Sequence, residues 1–353
     1  MPRLSPIAVC TAAVSLVLAG CGGGDAKPEL LFGFNDDAIR AGLITPEKDA
    51  DLTARAGANV HRVTVDWRWV EPQRDRYDWA IYDDIYRAMM ARGVKPLLVL
   101  IFAPEWSWKG DHDCTQFGQD CRFPPNPRND SEWREMAALL ARRYPQAAGI
   151  EIWNEPNLAS FWGPAPDPRR YADLLRQAHG AVKEANPSMR VIGGSMNNVQ
   201  TAAGGDVPMG EFTRALYSHG AKGAMDALSL HPYPLSPNDF SFMLENLEEV
   251  RSARDKAGDE ETPLWVTEIG LSTTGALEQG GALSEDQQAR GLVALLELLD
   301  GMDDVEAVVI HTLLDRQGAP TDVEAGYGVA RPDLQLKPAF CALAKARGED
   351  STC

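Results

Sequence analysis

Eight short runs rich in Val, Ile and Leu recur along the chain, each followed by a stretch with the apolar stripe of an amphipathic helix. The runs are Leu31–Asn35, Asn59–Asp66, Lys95–Phe102, Gly149–Asn154, Arg190–Met196, Ala227–His231, Leu264–Glu268 and Glu306–His311. Their spacing is that of a strand-plus-helix unit, about 30 residues or more. Helix punctuation falls between them. Thr45-Pro46 supplies an N-cap followed by proline, Ser284 with Gln287 forms a capping box, and helical stretches stop at Gly93, before Pro145, at Asn186-Pro187, Gly220 and Gly258. Eight such units with no compositional break predict a single (β/α)8 TIM barrel over residues 31–353. A doubly wound open sheet is the alternative, but it usually carries a glycine-rich phosphate loop after its first strand. Here Asp36-Asp37-Ala38 follows, with neither GxGxxG nor GxxxxGK[ST], so no nucleotide cofactor is expected.

The 353 residues carry 34 Lys and Arg against 51 Asp and Glu, a net charge of −17. That acid excess argues against nucleic acid as a partner and against adsorption to anionic lipid. The N-terminus has its own composition. Arg3 is the only charge before an apolar run from Ile7 to Ala19, the layout of a secretory signal over residues 1–20. Leu18-Ala19-Gly20-Cys21 resembles the lipobox of bacterial lipoproteins. The resemblance implies cleavage before Cys21, lipidation of its thiol, and an exported protein held at the cell envelope through residues 21–30 as a flexible tether. An ordinary cleaved signal with a free Cys21 is the alternative. In an oxidising compartment the remaining cysteines read as two local disulfides, Cys114–Cys121 around a loop and Cys341–Cys353 at the tail. Zinc is the competing reading, but neither pair has CxxC spacing or a histidine pair nearby, so no metal is expected.

In a barrel enzyme the chemistry sits at the C-terminal ends of the strands. The fourth run ends Trp153-Asn154-Glu155-Pro156, which places Glu155 just past the strand, and the seventh ends Val266-Thr267-Glu268. Glu268 shares side-chain parity with Leu264 and Val266 and is expected to point the same way. Two carboxylates facing one cavity are what glycoside hydrolysis needs, one to protonate the leaving oxygen and one to attack the anomeric carbon or activate water. A loop residue and a salt-bridge partner are the structural alternatives.

WNEP after the fourth strand with VTEIG at the end of the seventh resembles the clan A glycoside hydrolases, retaining (β/α)8 enzymes. The resemblance implies that Glu155 is the acid/base, Glu268 the nucleophile, and Asn154 a ligand of the sugar 2-hydroxyl. Arg62 resembles the arginine beside the nucleophile. His231 and Tyr233 in HPYP resemble site-lining residues, the tyrosine orienting the nucleophile. Val65–Trp79, Ala103–Trp108 and Tyr327–Phe340 resemble segments of families 39 and 5, including exopolysaccharide-acting members. His311 stands where many members carry a tryptophan under the sugar.

From the residues alone, Arg62 reads equally as a buried ion-pair partner and His231 as a core histidine. Trp106, Trp108 and Trp162 sit on loops at the expected mouth, either as platforms for sugar faces or as caps on the barrel edge. Asn197 and Asn198 follow the fifth strand. His61, His112, His179 and His219 show no ligand spacing and read as structural. Thr273–Leu283 is a glycine-rich candidate lid, and the Cys114–Cys121 loop a candidate cleft wall. The expected function is a retaining glycosidase acting on β-type bonds of a carbohydrate, without cofactor and as a monomer. A transglycosidase remodelling an envelope glycan, and a barrel that only binds glycan, are the rivals.

Overall fold

The computed structural model describes residues 29–35, 38–109, 122–200, 203–275 and 282–349. The signal segment, Cys21, most of the tether, Cys114, Cys121, Cys353, His112 and the centre of the Thr273–Leu283 loop lie outside the described residues. Eight parallel strands close into a barrel: β1 (Leu31–Asn35), β2 (Val60–Asp66), β3 (Lys95–Ile101), β4 (Gly149–Ile152), β5 (Val191–Asn197), β6 (Ala227–His231), β7 (Leu264–Ile269) and β8 (Val305–His311). Each pairs with the next, and β8 closes on β1 from Leu31 opposite Ala307 to Asn35 opposite His311. The TIM barrel expected from the repeat is the architecture observed.

Among the described residues ten α-helices accompany the strands: α1 (Pro46–Arg55), α2 (Trp67–Val70), α3 (Ala80–Met90), α4 (Glu105–Trp108), α5 (Asp130–Arg143), α6 (Pro168–Ala185), α7 (Met209–Ser218), α8 (Ser241–Lys256), α9 (Glu285–Asp300) and α10 (Pro338–Ala346). Their starts follow the capping chemistry. The Thr45 hydroxyl accepts from the Lys48 amide, and Ser284 and Gln287 cap each other across the first turn of α9. Cys341 lies on α10 and is disulfide-bonded.

The strands are buried on both faces, as parallel strands under helices must be. Val63, Val65, Leu98, Leu100, Leu264, Val266, Val308 and Ile310 face the helices and share one core with them. Val60, Leu97, Ile192, Ala227, Trp265, Ala307 and Val309 make a second, smaller core inside the barrel. Gly33 belongs to this crowded interior, where a Cβ would lie 1.7 Å from the Val60 carbonyl oxygen. Two residues further along β2, β4, β7 and β8 the inward positions turn polar, and Val60 gives way to Arg62, Gly149 to Glu151, Trp265 to Thr267 and Val309 to His311. An apolar plug therefore closes one end, and polar side chains collect at the C-terminal mouth.

The parity expected along β7 is corrected. Leu264 and Val266 face outward while Trp265 points into the barrel, so strict alternation would turn Glu268 toward the helices. The register against β8 slips between Val266 and Ile269, and this bulge re-aims Glu268 into the mouth. A second slip lies between Gly193 and Met196 in β5. β4 also ends two residues short of its expected limit, because the chain leaves it through left-handed backbone at Trp153 (φ 71°) and Glu155 (φ 46°). Such a conformation costs a non-glycine residue about 1–2 kcal/mol. Pairing continues past the strand nonetheless: the Trp153 amide donates to the Leu100 carbonyl at 2.9 Å, and the Glu155 amide to that of Ser195 at 2.9 Å.

Candidate active site

Arg62 is the hub of the mouth. It projects inward from β2 with 2% exposure, so its charge must be answered within the protein. Nε donates to Glu151 Oε2 at 2.6 Å, and Nη1 donates to Glu268 Oε1. Nη2 donates to Asn154 Oδ1 at 2.8 Å and to Ser195 Oγ at 3.3 Å. One rigid guanidinium thus ties the ends of β4, β5 and β7 to β2.

The second oxygen of Glu268, Oε2, accepts from the Tyr233 hydroxyl at 3.0 Å. Burial on its own would raise this carboxyl. The charges of His231, Arg62 and His311 and the tyrosine hydrogen bond outweigh it and hold the group well below the ordinary 4.5, at about 2. Burial and the neighbouring carboxylate push the Tyr233 phenol well above 10, so it remains a donor. Glu155 stands opposite. Its Oε1 accepts from Asn197 Nδ2 at 2.9 Å and lies 3.0 Å from His231 Nδ1. Glu155, His231 and Glu268 each present a donor atom within 4.8 Å of the others, so the two carboxylates are less than 5 Å apart at their near oxygens. This is the one such group among the described residues that has metal-ligand spacing. Any cation there would compete with Arg62, Tyr233 and Asn197, which already donate to the same oxygens.

The two glutamates open on a cavity of about 710 Å³ lined also by Asn154, Asn197, Tyr233 and His311. His311 ends β8, with Nδ1 3.1 Å from Asn35 Nδ2 and Nε2 3.5 Å from Glu324 Oε2, and its ring meets Tyr327 edge-on at 5.2 Å. Asn198 also lines the cavity and holds the Tyr233 carbonyl at 2.7 Å.

Four expected substrate contacts are relocated. His231 is fully buried and touches Glu155 rather than the cavity. Trp108 and Trp162 belong to the core, Trp108 against Phe123 with its N–H on the Ala103 carbonyl and Trp162 against Trp153 and Tyr171. Trp106 spends its N–H on the Glu71 carbonyl at 3.0 Å, packs edge-on against Trp67, and does not line the cavity. The aromatic wall is instead Phe102 and Phe161, stacked at 6.4 Å, with the Arg122 guanidinium over both rings. Glu151, Ser195, Thr267, Glu324 and Tyr327 escaped the sequence reading. Glu151 had a signal: a charge in mid-strand, at the inward parity, needs an inward counter-charge.

A sequence model of glycosyl hydrolases family 39 matches residues 40–269, more than half of the chain. A β-xylosidase of Geobacillus stearothermophilus is 25% identical over 219 residues, 56% of this chain and 41% of the relative. One of Caldicellulosiruptor saccharolyticus is 29% identical over 185 residues, 50% of this chain and 35% of the relative. The chain spans less than half the length of these two curated relatives. Among solved structures, a family 39 glycoside hydrolase from Bacteroides cellulosilyticus WH2 aligns with a TM-score of 0.70 at 23% identity, over 91% of this chain and 64% of that one. A family 39 β-xylosidase from Caulobacter crescentus aligns at 0.68 and 22% identity, over 92% and 72%. At these identities the structural likeness speaks for the fold.

Proposed function

The chain belongs to family 39 of the glycosyl hydrolases, and from that premise we propose that it is a retaining glycosidase of β-linked sugars, with β-xylosides the first substrates to try. The observation that carries the reading is the buried carboxylate pair, with near oxygens less than 5 Å apart and Glu268 held ionised by its cationic neighbours. Retaining enzymes hold their carboxyl groups about 5–5.5 Å apart, whereas inverting enzymes leave about 6.5–9.5 Å for a water. Glu155 protonates the leaving oxygen while Glu268 attacks the anomeric carbon, and the bond from sugar to aglycone gives way to a glycosyl ester. Glu155 then takes a proton from water, whose oxygen displaces Glu268. The Asn154 carbonyl is committed to Arg62, which leaves its amide N–H groups for a sugar hydroxyl. The β-xylosidase relatives direct the substrate choice, and the polar His311 and Glu324 suit the hydroxyls of a neutral sugar.

A panel of aryl β-glycosides and β-linked oligosaccharides, with the product anomer followed by NMR, tests the reading. Retention at the anomeric carbon is expected, together with loss of activity in Glu268→Ala and its rescue by azide as the inverted glycosyl azide. Wild-type-like turnover in Glu268→Ala refutes it. We further propose export as a lipoprotein through Cys21. Labelled palmitate should enter the full chain and should not enter Cys21→Ala; equal labelling of the two contradicts the anchor.

A further inference from the structure

Glu151 takes no part in the double displacement, yet it lies at the centre of the site's hydrogen bonds. It sits mid-strand on β4 with no solvent exposure, and both of its oxygens are engaged. Oε2 accepts from Arg62 Nε at 2.6 Å, and Oε1 accepts from the Thr267 hydroxyl at 2.7 Å. A charge buried this deeply is tolerated only when it is paired and fully hydrogen-bonded, which gives both contacts a fixed direction.

The direction at Thr267 has a consequence. A hydroxyl has one proton, and Thr267 gives its own to Glu151. Toward His231 Nε2, 3.2 Å away, it has only lone pairs to offer. Ser195 Oγ, which accepts from Arg62, faces the same nitrogen at 3.1 Å. A bare Nε2 could accept the Ser195 proton but would meet only lone pairs at Thr267, whereas an N–H there is accepted by both oxygens, so Nε2 carries the proton. When the ring is neutral, as distinct from the charged form that lowers Glu268, it presents a bare Nδ1 to Glu155 Oε1, 3.0 Å away, with Glu268 Oε2 next nearest at 3.7 Å. A bare nitrogen at that distance calls for a proton on Glu155, the form required of the acid in the first chemical step.

We propose that Glu151 is the positioning residue of this site: through Thr267 it fixes which nitrogen of His231 carries the proton and so presents Glu155 with an acceptor, and through Arg62 it fixes the orientation of Glu268. Both glutamates assigned above thus depend on one buried third carboxylate, and the inference rests on that assignment for its catalytic consequence only. Glu151→Gln has the right shape and the wrong valence. Its single carbonyl can serve Arg62 or Thr267, not both. With the carbonyl on Arg62, the amide N–H₂ meets Thr267, which must turn its proton toward His231. The ring then moves its own proton to Nδ1 and donates it to Glu155.

Two readouts follow. The first needs no substrate: long-range ¹H–¹⁵N correlation of ¹⁵N-histidine-labelled protein, with His231→Gln to assign the ring. At about pH 9, above the ordinary imidazole range, Nε2 should be protonated in the wild type and bare in Glu151→Gln. A bare Nε2 in the wild type, or the same state in both proteins, overturns the proposal. The wild-type spectrum decides even if the variant does not fold. The second readout compares phenyl and 2,4-dinitrophenyl β-xylosides, since only the poorer leaving group needs the acid. Glu151→Gln should lower kcat/KM for the phenyl substrate at least about tenfold more than for the dinitrophenyl one, a part of the roughly 10²–10⁴-fold that general acid catalysis contributes. Equal losses mean a structural role only and refute it. If the wild type cleaves no glycoside, the proposed function fails while the NMR result still decides the role of Glu151.

Discussion

Tyr233→Phe isolates one hydrogen bond on the proposed nucleophile. The Tyr233 hydroxyl donates to Glu268 Oε2 at 3.0 Å, while Arg62 holds the opposite oxygen and does not depend on the phenol. A hydrogen bond to a charged group is worth about 1.5–3 kcal/mol, and one pKa unit corresponds to about 1.36 kcal/mol. Losing the bond should therefore raise the Glu268 carboxyl by about 1–2 units, from its value of about 2 toward its ordinary 4.5. The sign follows from the chemistry. Attack requires the carboxylate, so activity is lost as pH falls through this pKa, and a higher pKa moves the loss to higher pH. In the wild type the acid limb of kcat/KM should lie at the lowest pH the folded protein tolerates. In Tyr233→Phe it should appear about 1–2 units higher. The profile is read by brief pH jumps from neutral stock, with residual activity on return to neutrality as the control for unfolding. An acid limb that does not move refutes the claim that the phenol keeps Glu268 ionised.

Two further perturbations probe buried charge. Arg62→Met leaves Glu151 buried without its counter-ion and should destabilise the fold by about 3–5 kcal/mol, read as a lower urea midpoint; an unchanged midpoint contradicts the hub assigned to Arg62. Asp49, buried on α1 beside Thr53 and His61, has its carboxyl raised by burial from 3.8 to about 7 against the weaker pull of the Thr53 hydrogen bond. Between those values the folded state binds more protons than the unfolded one, so stability falls as pH rises through the window. Asp49→Asn should remove that fall and raise Tm above pH 7 more than at pH 5; an unaltered slope of Tm against pH excludes Asp49 as its source.

The barrel was legible because burial on two faces writes itself into strand sequences, as in Leu97–Ile101 and Val305–His311. Glu155 and Glu268 were legible as residues of the mouth because carboxylates at strand ends, on a barrel, have one common destination, whereas Arg62, early in β2, was picked out only by its resemblance. What alternation could not reveal is where it breaks. The bulge before Ile269 that turns Glu268 inward changes no residue type, and nothing in Leu264–Glu268 announces it. The loop tryptophans misled for a related reason. Trp108 and Trp162 have the composition of sugar platforms, but each found a backbone carbonyl or an aromatic neighbour inside the protein and was buried. Phe102 and Phe161, which do line the cavity, stand 59 residues apart and meet only in the fold. Glu324 reaches the site from the long segment after β8, whose course no periodicity predicts.

As the proposed nucleophile, Glu268 should become covalently bonded to the sugar. Incubation with a 2-deoxy-2-fluoro-β-xylosyl fluoride, which slows both chemical steps but forms the intermediate with a good leaving group, tests it directly by mass spectrometry of the intact and digested protein. One added 2-fluoroxylosyl group is expected, located on Glu268 and absent from Glu268→Ala. Turnover of β-xylosides without any adduct, or an adduct on another residue, would contradict it.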